Sequence, residues 1–412
     1  MDASRCSRRA FLQQAARCGA LLAAPSVLAR WPEAWEALAP GAAPAGALSL
    51  EDLIAQAPVA RFWVSSAAGG DCAACHIGGQ LVAGEPDHGS RFVRCRLCPH
   101  ECVLAEGQRG RCRARYNHQG ELRTLVYGRP ITEHLDPIEK KPFYHFLPGS
   151  SAYSLATSGC PLRCRFCQNW QISQAAPEEY TVSHCSPEEM VERARDEDAP
   201  VIAFTYNEPT VFTEYLLDIA REARQHGIRT VIISCGYTNP EPLAEIIAAL
   251  DGIKIDLKGF SPDFYRKVSA GELDNVLRSI RQVAAAGKHL ELVNLVVPTL
   301  NDSEQMLRGL AEWVVGEVGP DVPVHFTRFH PDYQLRNLPP TPVSTLERAR
   351  QIALDSGIHY AYVGNVPGHP GNHTYCPGCG RIVVERTGFL VTRTAVREGQ
   401  CAACQTRIAG VW

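Results

Sequence analysis

The chain has 412 residues, a formal net charge of -3 and 45% hydrophobic residues. That length accommodates one large catalytic domain with smaller modules, and the near-neutral charge excludes a broad basic nucleic-acid footprint. Its 17 cysteines are too clustered for a simple disulfide framework. Thirteen fall in short-spaced groups: Cys72/Cys75, Cys95/Cys98/Cys102/Cys112, Cys160/Cys164/Cys167 and Cys376/Cys379/Cys401/Cys404. Short spacing favours metals, because a CxxC turn brings two sulfurs to one ion. Cys185 and Cys235 read instead as small buried hydrophobes.

Residues 1–47 read as a leader and linker. Ser7-Arg8-Arg9-Ala10-Phe11-Leu12 is a twin-arginine pattern before a modestly apolar stretch, Cys18 to Ala29. The stretch is too short to span a bilayer, so no transmembrane span is expected. An arginine-rich amphipathic N-terminus is the plainer alternative. Trp31–Ala47 is an Ala/Pro linker. An export leader points outward from the cytoplasm, and the cytoplasm stays open as the alternative location.

Residues 48–150 form a Cys-rich module. Cys72-Ala73-Ala74-Cys75-His76 matches a c-type haem attachment motif. Twin-arginine export of folded chains and the loop-like, Gly-rich surroundings weigh against haem, leaving a thiol pair or weak metal site. Cys95, Cys98, Cys102 and Cys112 make a second metal set, with Gly107 and Gly110 bending the chain back. Zinc and an auxiliary cluster both suit that spacing.

Residues 151–368 alternate strand and helix. Strands are expected at Ala152–Thr157, Val201–Thr205, Thr230–Ser234, Ile253–Leu257, Leu290–Val296, Val324–Phe329 and Tyr360–Val363. Ser186-Pro187-Glu188-Glu189 reads as a capping box, and Ser344 to Glu347 repeats its spacing. Gly227 and Gly357 sit at expected left-handed helix ends. Repeated β-α units imply parallel strands and an α/β fold, a partial or full barrel.

In such a fold the functional groups gather at strand C-termini. The first strand runs into Cys160, Cys164 and Cys167, and the second into Tyr206-Asn207-Glu208-Pro209. The third runs into Ser234-Cys235-Gly236-Tyr237, the fourth into Asp256-Leu257-Lys258, the sixth into His330, and the last into Asn365. Three thiolates can hold three irons of a four-iron cluster and leave one iron open to a small molecule. A three-cysteine zinc site completed by a histidine is the alternative. Arg163, Arg165, Phe166, Gln168 and Asn169 surround the triplet and can tune a cluster's potential.

Residues 369–412 read as a zinc-ribbon-like module. Cys376, Cys379, Cys401 and Cys404 can close one tetrahedral site, with zinc or a single iron, and His369 and His373 are surplus to it.

The stretches CRLCPHEC and GQRGRCRAR, then TSGCPLRCRFCQNWQIS, TYNEPT, DGIKIDLKGF, FTRFHPDY, YCPGCG and CAACQTRIAGVW carry a resemblance. From about Arg94 to Trp412 the chain resembles the AmmeMemoRadiSam-system radical S-adenosylmethionine (SAM) enzymes, themselves similar to pyruvate formate-lyase activating enzymes. The resemblance implies a [4Fe-4S] cluster on Cys160, Cys164 and Cys167, reductive cleavage of SAM, and a 5′-deoxyadenosyl radical that takes hydrogen from a substrate. It places SAM contacts at Glu208 and neighbouring Asn207, at Asp256 and Lys258, at His330, and, where activating enzymes carry Thr-Asn-Gly, at Ser234. The family's second-strand glycine pair is replaced here by Tyr206 and Asn207. A plain Asp256–Lys258 salt bridge is the alternative for that pair. An electron donor such as a ferredoxin or flavodoxin is implied, and Memo-like and AMMECR-type partners by the family's name. A glycyl-radical activating role is one competing function. An exported multi-metal electron-transfer protein is another, and it would need a fourth ligand at the triplet.

Overall fold

The computed structural model describes residues 48–65 and 91–412. The arginine leader, the Ala/Pro linker and Cys72, Cys75 and His76 lie outside the described residues. A small antiparallel sheet comes first, built from β1 (Trp63–Ser65), β2 (Val93–Cys95) and β3 (Val103–Leu104). The hairpin β4 (Arg115–His118) and β5 (Glu121–Thr124) follows.

Short apolar, β-branched runs then build the main sheet of eight strands. They are β6 (Thr132–Pro137), β7 (Ser151–Ala156), β8 (Val201–Phe204), β9 (Arg229–Ser234), β10 (Gly252–Asp256), β11 (His289–Val296), β12 (Val324–Arg328) and β13 (Ala361–Gly364). Spatial order follows chain order from β6 at one edge to β13 at the other. From β7 to β13 every pairing is parallel. These seven strands match the expected ones to within one residue at each end. Strand β6 was not expected, and it runs antiparallel to β7. Its pattern is inverted: Leu135 is exposed and Asp136 buried, and Pro137 ends it, which an edge tolerates.

Helices Pro187–Asp196, Thr213–Gln225, Pro240–Ala249, Leu273–Ala285, Glu304–Glu317 and Val343–Asp355 make the crossovers between successive parallel strands. Ser186 Oγ accepts the Glu189 N–H at 3.2 Å, and Glu189 Oε2 accepts the Ser186 N–H at 2.7 Å, a complete capping box. The second expected cap is corrected. Pro342 occupies the N-cap of Val343–Asp355 with no side-chain cap bond, so Ser344 lies inside the first turn. Glu347 instead meets His369 Nε2 at 3.1 Å. Gly227 and Gly357 take φ of 71° and 100°, as helix ends of this kind require.

One face of the sheet packs on the helices through Ile202, Phe204, Ile232, Ile255, Phe326 and Val363. The other face is plugged at the strands' N-terminal ends by Ile138, Phe143 and Phe146 against Ala152, Val201, Ala203 and Val231. Burying each phenylalanine contributes about 2 kcal/mol. The plug closes this face near the strands' N-terminal ends, and the site lies toward their C-terminal ends.

The C-terminal segment adds β14 (Thr374–Tyr375), β15 (Ile382–Thr387), β16 (Leu390–Thr394), β17 (Val396–Arg397) and β18 (Gln400–Cys401). Arg386 ties it to the main sheet. Its fully buried guanidinium donates to the Tyr144 carbonyl at 2.7 Å and lies 3.5 Å from Glu139. Among the described residues no helix is long and apolar enough to cross a membrane.

Candidate functional site

The loop after β7 carries the cysteine triplet, and neighbouring loops and a short helical turn pin it. The Arg163 and Arg165 N–H groups donate to the Ser269 and Val268 carbonyls at 3.0 and 2.9 Å. Asn207 Nδ2 donates to the Gly159 carbonyl, and Asn169 Nδ2 to the Tyr206 carbonyl, each at 2.8 Å. Gly159 has φ 93°, and a Cβ there would stand 2.3 Å from the Cys112 carbonyl oxygen. Only glycine lets the backbone approach that closely.

Cys160, Cys164 and Cys167 line a cavity of about 470 Å³ with Asn207, Glu208, Ser234, Asp256, Lys258 and Asn365. That volume is ordinary for a small-molecule site. Burial pushes the Cys164 thiol up to about 11, against the pull of the Lys258 ammonium, and pushes Cys160 well up. Metal binding there must displace protons.

Glu208 is buried and saturated. Its Oε1 accepts from Ser234 Oγ at 2.7 Å, Thr210 Oγ1 at 2.7 Å and the Thr210 N–H at 3.2 Å. Its Oε2 accepts the Cys235 N–H at 2.6 Å. Ser234 therefore spends its hydroxyl on Glu208. Asn207 Oδ1 is buried with no partner, an acceptor left over on the cavity wall. Tyr206 holds φ 70° without being glycine, a strain of order 1 kcal/mol or more. Its hydroxyl donates to Asp136 at 2.8 Å, and Lys141 Nζ sits 4.7 Å from its ring centroid.

Asp256 sits between two lysines, Lys254 and Lys258, the latter at 3.2 Å. Burial pushes its carboxyl up, but the two ammonium groups outweigh that and hold it at about 2. The salt bridge considered for Lys258 is thus present, with Lys254 as an unforeseen third member. Lys140 and Lys141 bracket Asp136 in the same way, each at 2.6 Å. Lys140, Lys141, Lys254 and Lys258 therefore border the cavity with the carboxylates of Glu139, Glu208 and Asp256 among them. Burial draws the Lys141 ammonium down to about 8 despite Asp136.

His330 is exposed and is not among the residues lining this cavity. Strand β12 ends at Arg328, Phe329 turns inward, and His330 faces solvent. His325 and Thr327 of β12 line the cavity instead. Lys254, His325 and Thr327 are absent from the expected set because they lie within β10 and β12 rather than beyond the strand ends. The signal was alternation: Lys254 and Asp256, like His325 and Thr327, are two apart and share a face. Lys140 and Lys141 had no such signal. Cys235 is buried as expected but also lines the cavity.

The other cysteine groups differ from each other. Cys376 Sγ and Cys404 Sγ are 3.5 Å apart, and Cys379 Sγ and Cys401 Sγ 3.8 Å. All four sulfurs lie within 4.8 Å of one another, a group able to hold a metal. His369 and His373 are engaged elsewhere, with Glu347 and the Arg386 N–H respectively. Cys95, Cys98, Cys102 and Cys112 line a separate cavity.

Residues 154–312 match the Radical SAM superfamily. Over 318 residues the chain is 43% identical to the uncharacterized protein MJ0808 of Methanocaldococcus jannaschii, covering 77% of this chain and 95% of that one. It is 26% identical over 165 residues to the pyruvate formate-lyase-activating enzyme of Streptococcus mutans, spanning 38% of this chain and 63% of that enzyme. A solved domain of pyruvate-formate lyase-activating enzyme from Bacteroides vulgatus aligns with 40% of this chain and 98% of that one, at 20% identity and a TM-score of 0.36. The chain belongs to the radical SAM superfamily and is homologous to pyruvate formate-lyase-activating enzymes.

Proposed function

We propose that Cys160, Cys164 and Cys167 hold a four-iron cluster and that SAM occupies the adjoining cavity, as family membership implies. Once reduced by an outside one-electron donor, such a cluster would supply the electron that splits the SAM sulfonium into methionine and a 5′-deoxyadenosyl radical, and that radical would take hydrogen from a substrate still to be identified. The observation that carries this reading is the convergence of the three thiols, Asn207, Glu208, Asp256 and Lys258 on one cavity. The residues fit the group. Lys258 offers an ammonium to a carboxylate, and Asn207 Oδ1 an unused acceptor to an amino group. Glu208 fixes the end of β8 against β9, and Ser234 acts through it. His330 faces solvent, and we give it no part in this cavity.

Around that core we assign residues 48–150, 151–368 and 369–412 to three modules, the middle one a partial barrel. We assign Cys376, Cys379, Cys401 and Cys404 to a structural zinc in a ribbon-like fold. A zinc–sulfur bond of about 2.3 Å sets tetrahedral sulfurs about 3.8 Å apart, close to the observed 3.5 and 3.8 Å. The activating-enzyme relatives support a protein glycine as one candidate target. The AmmeMemoRadiSam likeness supports Memo-like and AMMECR-type partners as another route to the substrate.

The test is anaerobic reconstitution with iron and sulfide, followed by SAM and a strong one-electron reductant. The expected product is 5′-deoxyadenosine, lost in Cys164→Ala. If the wild type forms none, and Cys164→Ala leaves the iron content unchanged, an electron-transfer protein replaces this reading.

A further inference from the structure

Away from the SAM cavity, four cysteines of the N-terminal module line a second cavity together with Arg111, Arg115 and Pro161. Cys95 ends β2, Cys102 immediately precedes β3, and Cys112 lies just before β4. Cys98 occupies the turn between the first two. These sequence-distant positions meet because the strands fold back over one another.

A second observation points to an anionic occupant. Arg115 is 0% exposed, and its two terminal nitrogens donate to Glu214 at 2.7 and 2.8 Å. Its Nε, equally buried, has no acceptor, and the residue lines this cavity. An unmet buried guanidinium N–H is costly, and the positive charge beside the four thiols favours a negative occupant. The Arg111 N–H also donates to Cys102 Sγ at 3.5 Å.

Four thiolates take either one tetrahedral ion or a polynuclear cluster. The molecule contains its own standard for each. Among the described residues, the set whose sulfurs all fall within 4.8 Å of one another is the C-terminal one. Neither the N-terminal four nor the triplet forms a group that tight, although each set lines one cavity.

We infer that Cys95, Cys98, Cys102 and Cys112 ligate a second iron–sulfur cluster, of the four-iron type, beside the SAM site. The two cysteine sets touch through backbone. The Cys112 carbonyl packs against Gly159, and the Pro161 carbonyl accepts from Arg111 Nε at 3.2 Å and lies 3.0 Å from His100 Nε2. With four protein thiolates no iron is open, so this cluster does not bind SAM.

The test uses the full chain, reconstituted anaerobically, with iron, acid-labile sulfide and zinc counted per chain. In the triple variant Cys160→Ala, Cys164→Ala, Cys167→Ala, about four irons and about four sulfides are expected to remain, with an EPR signal on reduction. Adding Cys98→Ala and Cys112→Ala should take iron to near zero. A triplet-less chain that holds no iron, or that gains a second zinc, overturns the inference. Should that variant not fold, the wild type decides by Mössbauer spectroscopy with enriched iron: roughly eight irons support the second cluster, and about four overturn it. Formation of 5′-deoxyadenosine is a separate readout, so failure of the SAM reading leaves the iron count in the triplet-less chain meaningful.

Discussion

The two four-cysteine groups have similar short spacings and opposite surroundings. In the C-terminal set Cys379 and Cys404 are exposed, and the sulfurs close to 3.5 and 3.8 Å. Its apolar support is a small cluster around Tyr360, Tyr362, Val383 and Ile408. In the N-terminal set no cysteine is exposed, the sulfurs do not form a group that tight, and a buried arginine lies beside them. The lesson is that CxxC spacing announces a metal, while the backbone around it decides how large the metal centre is. A tight knuckle on a small exposed hairpin suits one ion. A looser set pressed against the main domain suits a cluster.

The largest effect should come from breaking the tight site. A segment of about forty residues cannot bury enough apolar surface to fold unaided. Cys376→Ser should therefore remove on the order of 10 kcal/mol from folding of that segment. Limited proteolysis should then cut within residues 374–412 while the parallel sheet stays resistant. If the segment remains protected, its metal is dispensable and the contrast between the two sets collapses.

A smaller effect is expected at the N-terminal docking point. Arg115→Met leaves Glu214 buried with only the Arg61 N–H as a partner on that side. The cost should be about 3–5 kcal/mol in denaturant unfolding, and Arg115→Met with Glu214→Leu should recover much of it. Equal losses in the single and double variants would mean that packing, not the ion pair, holds the module. The double variant should still bind iron more weakly, since the cavity would keep its thiols and lose its cation.

The smallest effect concerns pH and the C-terminal segment. His145 Nδ1 donates to the Ala409 carbonyl, and its Nε2 accepts from the Tyr362 hydroxyl, so the neutral ring is fully satisfied. Burial pulls its pKa down from 6.5 to about 3, with Glu291 opposing and Arg386 and His289 assisting. Above 6.5 both folded and unfolded chains are neutral there, and the ring contributes no pH dependence. As pH falls from 6.5 the unfolded chain takes the proton first, so stability drops, by at most about 1.4 kcal/mol per pH unit. Burial also lowers His325, which adds to the same slope. Glu291, held well below the usual carboxylate range, joins only below about 4.5. Denaturation midpoints between pH 6.5 and 4.5 should thus fall less steeply in His145→Gln. An unchanged slope would show that His145 is not the titrating group.

Much of this was readable one residue at a time. Seven strands of the main sheet announced themselves as short β-branched runs, and Ser186 with Glu189 announced a helix start. The thiols, Glu208, Asp256 and Lys258 were readable because chemistry at strand ends interrupts apolar patterns. Other features were not. Ser344 looked like a cap, but Pro342 had already fixed the helix entry. Strand β6 hid because an edge strand with one buried aspartate has no apolar alternation to detect. The left-handed Tyr206 was invisible because its strain is offset by Asp136, Lys141 and Asn169, from three other segments.

Sequence by itself determined the α/β alternation, the superfamily's cysteine triplet and the existence of two further four-cysteine sets, because those signals are local in composition and spacing. Tertiary structure alone decided which side chains share the cavity, that Lys254 joins Lys258 on Asp256, and that His330 faces solvent. It also drew one cysteine set tight and left the other looser beside Arg115. The physical reason is the same throughout: charge pairing, burial and the distance between sulfurs are set by segments far apart in the chain.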